Sequence, residues 1–152
     1  MKIALIQQHA SKDRNANVAR GLAALEQAAR NGAQLACFAE LAFEWFHPQL
    51  PADASFLELA EPIDGPTVKA FQQKSKQLGI VTVINLYERE DDHAFDSSPV
   101  IDADGSLLGV TRMIHITDYP CFHEQGYYTP GDKGAPVFNT RVGKIGVAIC
   151  YD

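Results

Sequence analysis

The stretch that decides the fold is Arg141-Val142-Gly143-Lys144-Ile145-Gly146-Val147-Ala148-Ile149-Cys150, followed only by Tyr151 and Asp152. A glycine turn leads here into an apolar run, which predicts a hairpin whose second strand ends at Cys150. A thiol at the end of a strand can meet a substrate, so Cys150 is a candidate nucleophile. The helix that would help stabilise its thiolate would lie after Asp152, so we expect only part of a catalytic domain.

The bulk composition is that of one globular domain. The chain has 152 residues, of which 46% are hydrophobic and 21% are charged. A net charge of −6 without any basic run argues against a nucleic-acid partner and against an anionic membrane surface. Three cysteines at distant spacings predict neither a disulfide framework nor a zinc knuckle. We therefore expect a protein of the reducing cytoplasm, without a membrane-spanning segment or a signal peptide.

The first forty residues predict a strand–helix–strand unit. Residues 3–8 form an apolar strand of the kind that is covered on both faces, and residues 35–39 form the second strand. Asn15 or Asn17 is expected to cap the helix between them. The apolar positions of this helix are Val18, Leu22, Leu25 and Ala29. The crossover should be right-handed, which makes the two strands parallel.

The rest of the chain continues the same α/β pattern. A helix is expected over residues 66–78 and a central β-branched strand over residues 80–84. A hairpin follows over residues 99–113, and residues 114–136 form a long aromatic and polar loop. The sequence therefore predicts an α/β fold with the sheet faces covered by helices.

Two predicted strands end in reactive side chains. Glu40 follows one strand and Cys150 ends another, and ligands of parallel α/β sheets bind at the carboxyl ends of the strands. A carboxylate beside a thiol can take its proton while the sulfur attacks an electrophilic carbon. We expect the two side chains to converge to about hydrogen-bond reach.

Four segments carry a family resemblance, in this order along the chain: Phe38–Leu41, Gly109–Ile116, Phe122–Asp132 and Gly143–Asp152. Together they resemble the nitrilase superfamily of carbon–nitrogen hydrolases, especially its carbamoylase and aliphatic amidase-like branches. The resemblance implies an α-β-β-α sandwich. It identifies residues 1–152 as an incomplete carbon–nitrogen hydrolase domain that ends just after the nucleophile strand.

The resemblance also implies a reaction and its residues. Cys150 would be the nucleophile that forms an acyl-enzyme, Glu40 the general base and Glu124 a second glutamate that supports substrate and site. The backbone amide of Tyr151 would be an oxyanion donor. The expected reaction is hydrolysis of a non-peptide C–N bond, in a small-molecule amide or N-carbamoyl substrate. No cofactor or metal is implied.

One position departs from the family pattern. The family has a lysine directly after its arginine, whereas Arg112 is followed here by Met113. Adjacent strand residues point to opposite faces, so Arg112 is a poor substitute for that charge. Two alternatives therefore stay open. In the first alternative, the chain is a catalytically impaired family member that binds a small ligand or serves as an assembly subunit. In the second alternative, it is a cysteine hydrolase of the isochorismatase-like type. The run Thr129–Asp132 and the order of glutamate before cysteine speak against the latter.

An incomplete sandwich has a physical consequence. The four predicted apolar strands would leave an inner sheet face uncovered, which a monomer does not tolerate over more than a few hundred Å². We expect a homo-oligomer or a complementing C-terminal half to cover this face. We also expect negligible hydrolase activity from residues 1–152 alone.

Overall fold

The computed structural model describes residues 1–152, except for the side chain of Ala54. The helices are α1 (Arg14–Arg30) and α2 (Pro66–Leu78). The strands are β1 (Ile3–Ile6), β2 (Leu35–Phe38), β3 (Val81–Val83), β4 (Leu86–Glu90), β5 (His93–Ile101), β6 (Leu107–Arg112), β7 (Asp118–Tyr119), β8 (Phe122–His123), β9 (Val137–Thr140) and β10 (Gly143–Gly146). Short 3₁₀ turns lie at His47–Gln49, Ala54–Leu59 and Glu124–Gly126. None of these helices combines the length and the apolar character that crossing a membrane requires.

The main sheet is built on the predicted strand–helix–strand unit. Strands β1, β2 and β3 are parallel neighbours, and β5 runs antiparallel to β3. Strand β4 pairs with the other half of β5 in the same register as β3, so β3 and β4 form one strand that is interrupted at Ile84 and Asn85. Strand β6 pairs with β5 on its opposite side. The interruption leaves the Asn85 side chain buried near the end of β2, where it serves the site described below.

The cap of α1 differs from the prediction. Asp13 is the N-cap residue, and its carboxylate accepts a hydrogen bond from the amide of Ala16 at 3.0 Å. Asn17 is fully buried, and its side-chain amide donates to the carbonyl of Phe43 at 3.0 Å. The prediction of Asn15 or Asn17 as the cap was wrong, because Asp13 places its oxygen over the first turn.

Both helices pack on one face of the main sheet. A cluster of phenylalanines fills the space beneath them, with ring centroids of Phe38, Phe43 and Phe71 between 4.8 and 5.3 Å apart. A Cβ at Gly21 of α1 would lie 2.6 Å from the Phe43 ring, so this close approach requires glycine. Gly79 ends α2 with a left-handed φ of 64°, as predicted.

The other face of the sheet is covered by a hairpin rather than by a helix. Strands β9 and β10 form a separate antiparallel pair, and Ile145 and Phe138 pack with the apolar residues of β2 and β3. The edge strand β1 keeps an open apolar side, with Leu5 83% exposed and Ile3 49% exposed. Coverage of both faces by helices was therefore wrong for this chain. The predicted uncovered face is confined to β1, because the hairpin folds back over the centre.

Several strands and strand ends differ from the prediction. Strand β4 and the first half of β5 were not predicted, because Glu88 and Asp96 interrupt their apolar pattern and are nonetheless buried. Strand β10 ends at Gly146 and not at Cys150. Its partner β9 begins at Val137, after Pro136, which has no backbone N–H to extend the ladder.

Candidate active site

Glu40 lies in the turn that follows β2. The next residue, Leu41, has a left-handed φ of 47°, which is strained for a residue with a side chain. Its amide donates to the side-chain oxygen of Asn85 at 2.7 Å. Asn85 is itself held by the break between β3 and β4, so the interrupted strand fixes the turn that presents the Glu40 carboxylate.

Cys150 lies in a turn after β10, with a left-handed φ of 48°. Strained backbone of this kind is often found where a reactive side chain is held in place. The Asp152 carboxylate accepts hydrogen bonds from the amides of Ile114 and His115, each at 3.0 Å. The Asp152 amide donates to the carbonyl of Ile149 at 2.9 Å and closes the turn. The sequence did not identify Asp152 as the residue that holds the cysteine turn.

Glu124 opens the 3₁₀ turn at Glu124–Gly126 and is fully buried. The hydroxyl of Thr117 donates to one of its carboxylate oxygens at 3.4 Å. One carboxylate oxygen each of Glu40 and Glu124, together with the Cys150 Sγ, lie within 4.8 Å of one another. The structure thus brings together the three side chains that the sequence singled out.

A third carboxyl, which the sequence did not reveal, lies in the same place. Asp96 of β5 is fully buried beside Glu40, and its Oδ1 accepts from the side-chain amide of Asn85 at 2.5 Å. The signal that could have found it is the polar run Asp96-Ser97-Ser98, which is unusual within a central strand. Three carboxyl groups therefore surround one thiol.

The electrostatics of this cluster keep the thiol protonated. Burial, followed by the charges of Glu40 and Glu124, raises the pKa of the Cys150 thiol to about 12. Burial and the Glu40 charge also raise the pKa of Glu124, and raise that of Asp96 well above its usual range. In its resting state the site is a thiol beside a carboxylate, which suits removal of the thiol proton during attack.

The family resemblance implies a lysine at the position of Met113, and the Met113 side chain is fully buried. Its side chain belongs to one apolar cluster with Leu41, Tyr128 and Ile149, which neighbour the site along the chain. The backbone amide of Met113 donates to the carbonyl of Asp96 at 2.9 Å. An apolar side chain here supplies no positive charge to the thiol or to a developing oxyanion.

Arg112 points away from the site, as the alternation of strand residues predicts. Its guanidinium is buried and binds both oxygens of Glu88, and it also pairs with Glu90 at 3.0 Å and with Asp132 at 2.9 Å. It also lies over the Phe95 ring, 3.8 Å from the centroid. These bonds hold β4, β5 and β6 together and leave Arg112 unable to replace the family lysine.

The amide of Tyr151 follows the nucleophile directly. It donates no hydrogen bond to an acceptor among the residues that the structure describes. The side chain of Tyr151 is half exposed, and its hydroxyl is hydrogen bonded to that of Tyr119 at 2.7 Å. The backbone N–H is thus available to an oxyanion next to Cys150.

A cleft of about 100 Å³ contacts the thiol and is lined in part by Glu40, Asn85 and Cys150. A larger pocket of about 460 Å³ lies between the Ala54–Leu59 turn and the loop after Glu124, with Tyr127 and Tyr128 in its wall. A metal ion at the cluster would have one thiol and two carboxylates as ligands. This set differs from the cysteine and histidine ligands that are typical of structural zinc sites.

Comparison with known proteins identifies the family of this chain. Residues 2–152 match the family model described as carbon-nitrogen hydrolase. The chain is 36% identical over 151 residues to an N-carbamoylputrescine amidase of Solanum lycopersicum, covering 99% of the chain and 50% of that protein. It is 33% identical over 154 residues to a citrullinase of Francisella tularensis, covering 100% of the chain and 53% of that protein.

A solved structure supports the fold. The carbon-nitrogen hydrolase of Helicobacter pylori superimposes with a TM-score of 0.91 at 29% identity, over 99% of this chain and 52% of that one. The chain therefore spans about half the length of the relatives it matches.

Proposed function

The chain belongs to the carbon–nitrogen hydrolase family, and on this premise we propose that it supplies the nucleophile and the base for hydrolysis of a small amide or N-carbamoyl compound. The observation that carries the proposal is the convergence of Cys150 Sγ with oxygens of Glu40 and Glu124 within 4.8 Å. The nitrilase-type resemblance of the four sequence segments supports the same family, and the isochorismatase-like alternative is set aside.

The first step makes a covalent intermediate. The Cys150 sulfur attacks the carbonyl carbon while its proton moves to the Glu40 carboxylate, and the carbonyl electrons move to oxygen. Because the pKa of the thiol is raised to about 12, proton transfer accompanies the attack instead of preceding it. The oxyanion accepts a hydrogen bond from the amide of Tyr151.

The second half returns the site to its starting state. The tetrahedral intermediate collapses, the C–N bond breaks, and the departing nitrogen takes the proton from Glu40 as ammonia or amine. Water then attacks the carbonyl of the thioester or thiocarbamate while its proton moves to Glu40. The C–S bond breaks, the carboxylic or carbamic acid leaves, and the sulfur takes the proton from Glu40, which restores the thiol. Glu124 lines the same cluster and orients the substrate amide through its carboxylate.

The substrate class follows from the relatives. N-carbamoylputrescine amidase and citrullinase are named for substrates with a carbamoylated nitrogen. We therefore favour an N-carbamoyl substrate over a simple amide. A thiol nucleophile works best where it is kept reduced, and Cys37, Cys121 and Cys150 are all free thiols, which supports a cytoplasmic location.

The domain organisation is part of the proposal. Residues 1–152 correspond to about half of each relative, and we propose that they act as the first part of one carbon–nitrogen hydrolase domain. The open apolar side of β1, with Leu5 83% exposed, supports completion by a further chain segment or by a second copy. Hydrolysis is expected only from the completed domain.

A second candidate function is supported by one observation. Met113 is fully buried where the family has lysine, so the site has three carboxyls and no family cation. A site of this kind could bind a carbamoyl compound without cleaving it, in an impaired or assembly-only subunit. Ligand binding without ammonia release would favour this candidate.

The test is ammonia release by the protein encoded by the full reading frame that contains this chain. The substrates are N-carbamoylputrescine, citrulline and a simple aliphatic amide. Cys150→Ser should lower kcat at least about 10³-fold, whereas Cys121→Ser, a matched change at an exposed thiol, should leave it unchanged. Equal activity of wild type and Cys150→Ser would overturn the proposal.

A further inference from the structure

The mechanism above leaves Asp96 without a role, although its side chain is fully buried beside Glu40. Its Oδ2 is buried and has no hydrogen-bond partner among the described residues, and the same is true of Oε1 of Glu40. The two side chains lie against each other. Two carboxyl groups that touch through buried, unpartnered oxygens do not both stay ionised, so one of them must carry a proton.

The surroundings decide which carboxyl is protonated. Asp96 is fully buried, whereas Glu40 is only partly buried and opens toward the thiol cleft. An ionised carboxyl loses more solvation at the deeper position. Asn85 donates only one hydrogen bond to Asp96, and it also contacts the hydroxyl of Ser98. Burial and the Glu40 charge raise the pKa of Asp96 well above its usual range.

The other groups around Asp96 reinforce this assignment. Glu124 approaches from the 3₁₀ turn and Cys150 from the turn after β10. The hydroxyl of Tyr128 is buried without a hydrogen-bond partner among the described residues, and burial raises its pKa well above the usual range. The charge of Glu124 opposes a charge on Asp96. The Cys150 thiol and the Tyr128 phenol are neutral at neutral pH and add no charge of their own.

We propose, on the basis of the hydrolase function above, that Asp96 is a positioning residue that stays protonated at neutral pH and donates a hydrogen bond from Oδ2 to Glu40. This bond holds the buried oxygen of Glu40 and leaves the other oxygen to accept the thiol proton. The Asp96 proton does not leave during the reaction. Asp96 and Glu40 thus share one proton, and the Glu40 carboxylate stays ionised and keeps its orientation toward the thiol.

The most direct test reads the protonation state in the unaltered chain. In protein labelled with ¹³C at the aspartate carboxyl carbons, the Asp96 signal should have the chemical shift of a neutral acid from about pH 5 to about pH 8. The signal of the exposed Asp92 is the internal reference. An Asp96 signal that is already ionised at neutral pH would overturn the proposal. This measurement needs no turnover, so it fails independently of the hydrolase assignment.

A second test uses the reactivity of Cys150. Asp96→Asn exchanges one neutral donor for another, so iodoacetamide should label Cys150 at neutral pH within about twofold of the wild-type rate. Asp92→Asn is the matched control and should also leave the rate unchanged. If Asp96 were ionised, its removal would lower the thiol pKa and speed labelling about tenfold or more, which would contradict the proposal.

The role in catalysis is read from the protein of the full reading frame. Asp96→Ala removes the donated hydrogen bond and should lower kcat about tenfold or more with little change in KM, whereas Asp96→Asn should stay within about threefold. Equal losses in both variants would show that the residue matters only for packing. If Asp96→Ala fails to fold, the ¹³C chemical shift of Asp96 and the labelling rate of Cys150 in Asp96→Asn still test the proposal.

Discussion

A carboxylate oxygen of Glu40 lies within 4.8 Å of the Cys150 sulfur, although the two residues follow strands of different sheets. Glu40 follows β2 of the main sheet, and Cys150 follows β10 of the small hairpin sheet. The hairpin packs on the face of the main sheet that the helices leave open, and this packing brings the two turns together. The approach of Glu40, the proposed base, to Cys150, the proposed nucleophile, therefore depends on the contact between the two sheets.

The raised pKa of Cys150 predicts slow alkylation. A thiol whose pKa is about 12 has very little thiolate at neutral pH, and the thiolate grows as the pH rises toward that value. Iodoacetamide should therefore label the exposed Cys121 at least about tenfold faster than Cys150 near pH 7. Peptide mass mapping measures both rates in one sample. Preferential labelling of Cys150 at neutral pH would show that the site holds a thiolate.

Replacement of Met113 by lysine would supply the charge that the family resemblance implies beside the proposed nucleophile Cys150. In the protein of the full reading frame, Met113→Lys should raise kcat by at least about tenfold if the missing cation limits catalysis. It should also speed Cys150 labelling at neutral pH, because a nearby cation lowers the thiol pKa. Met113→Leu keeps the apolar volume and is the control, with no gain expected. A lysine variant that folds but reacts like the leucine variant would contradict this explanation.

His47 predicts a pH-dependent stability. Burial lowers the pKa of its imidazole to about 4, against 6.5 for an exposed histidine. As the pH falls below 6.5 the unfolded chain takes up the proton first, so the contribution of neutral His47 to the free energy of unfolding is lost between about pH 6.5 and pH 4. The loss amounts to about 3 kcal/mol.

Urea titrations at several pH values measure this effect. The nearby Glu44, with a pKa raised by burial to about 7, changes stability in the opposite sense, so the comparison must isolate the imidazole. His47→Phe should remove the His47 part of the pH slope, and His93→Gln, at an exposed histidine, should not. Identical pH profiles for His47→Phe and wild type would rule out a neutral buried His47.

The open side of β1 predicts self-association of residues 1–152. Leu5 is 83% exposed on the face opposite the helices, whereas the next residue, Ile6, packs against the phenylalanine core. Leu5→Lys should therefore reduce association in sedimentation experiments without lowering the unfolding midpoint. Ile6→Lys introduces the same charge on the helix side and should unfold the chain. A wild-type chain that sediments as a monomer at all concentrations would contradict this prediction.

Much of the fold could be predicted from local sequence patterns, and part of the candidate site from the family segments. The strand–helix–strand unit was predictable because its apolar residues follow regular periods. The limits of α2 were predictable because proline stands at its first turn and Gly79 ends it. Glu40, Glu124 and Cys150 were predicted as site residues from the order of the family segments, because spacing alone does not show that distant turns meet. The structure brings the three side chains together, and their roles stay a prediction.

Asp96 and Asn85 were not found, for a physical reason. Both are polar residues inside a buried sheet, where apolar patterns predict none, and their positions make sense only once β3 and β4 are seen as one interrupted strand. The end of β10 was missed because ladder partners, rather than apolar sequence, limit a strand. Such features depend on tertiary contacts that a single sequence does not contain.

The most direct test of the central claim is the mass of the protein of the full reading frame, quenched during turnover of an N-carbamoyl substrate. The account predicts a carbamoyl or acyl adduct on Cys150 that forms at least about 10²-fold more slowly in Glu40→Gln, because the base that takes the thiol proton is lost. The same change at the exposed Glu58 should have no effect. An adduct on another residue, or one that forms on Cys150 equally fast in Glu40→Gln, would contradict the account.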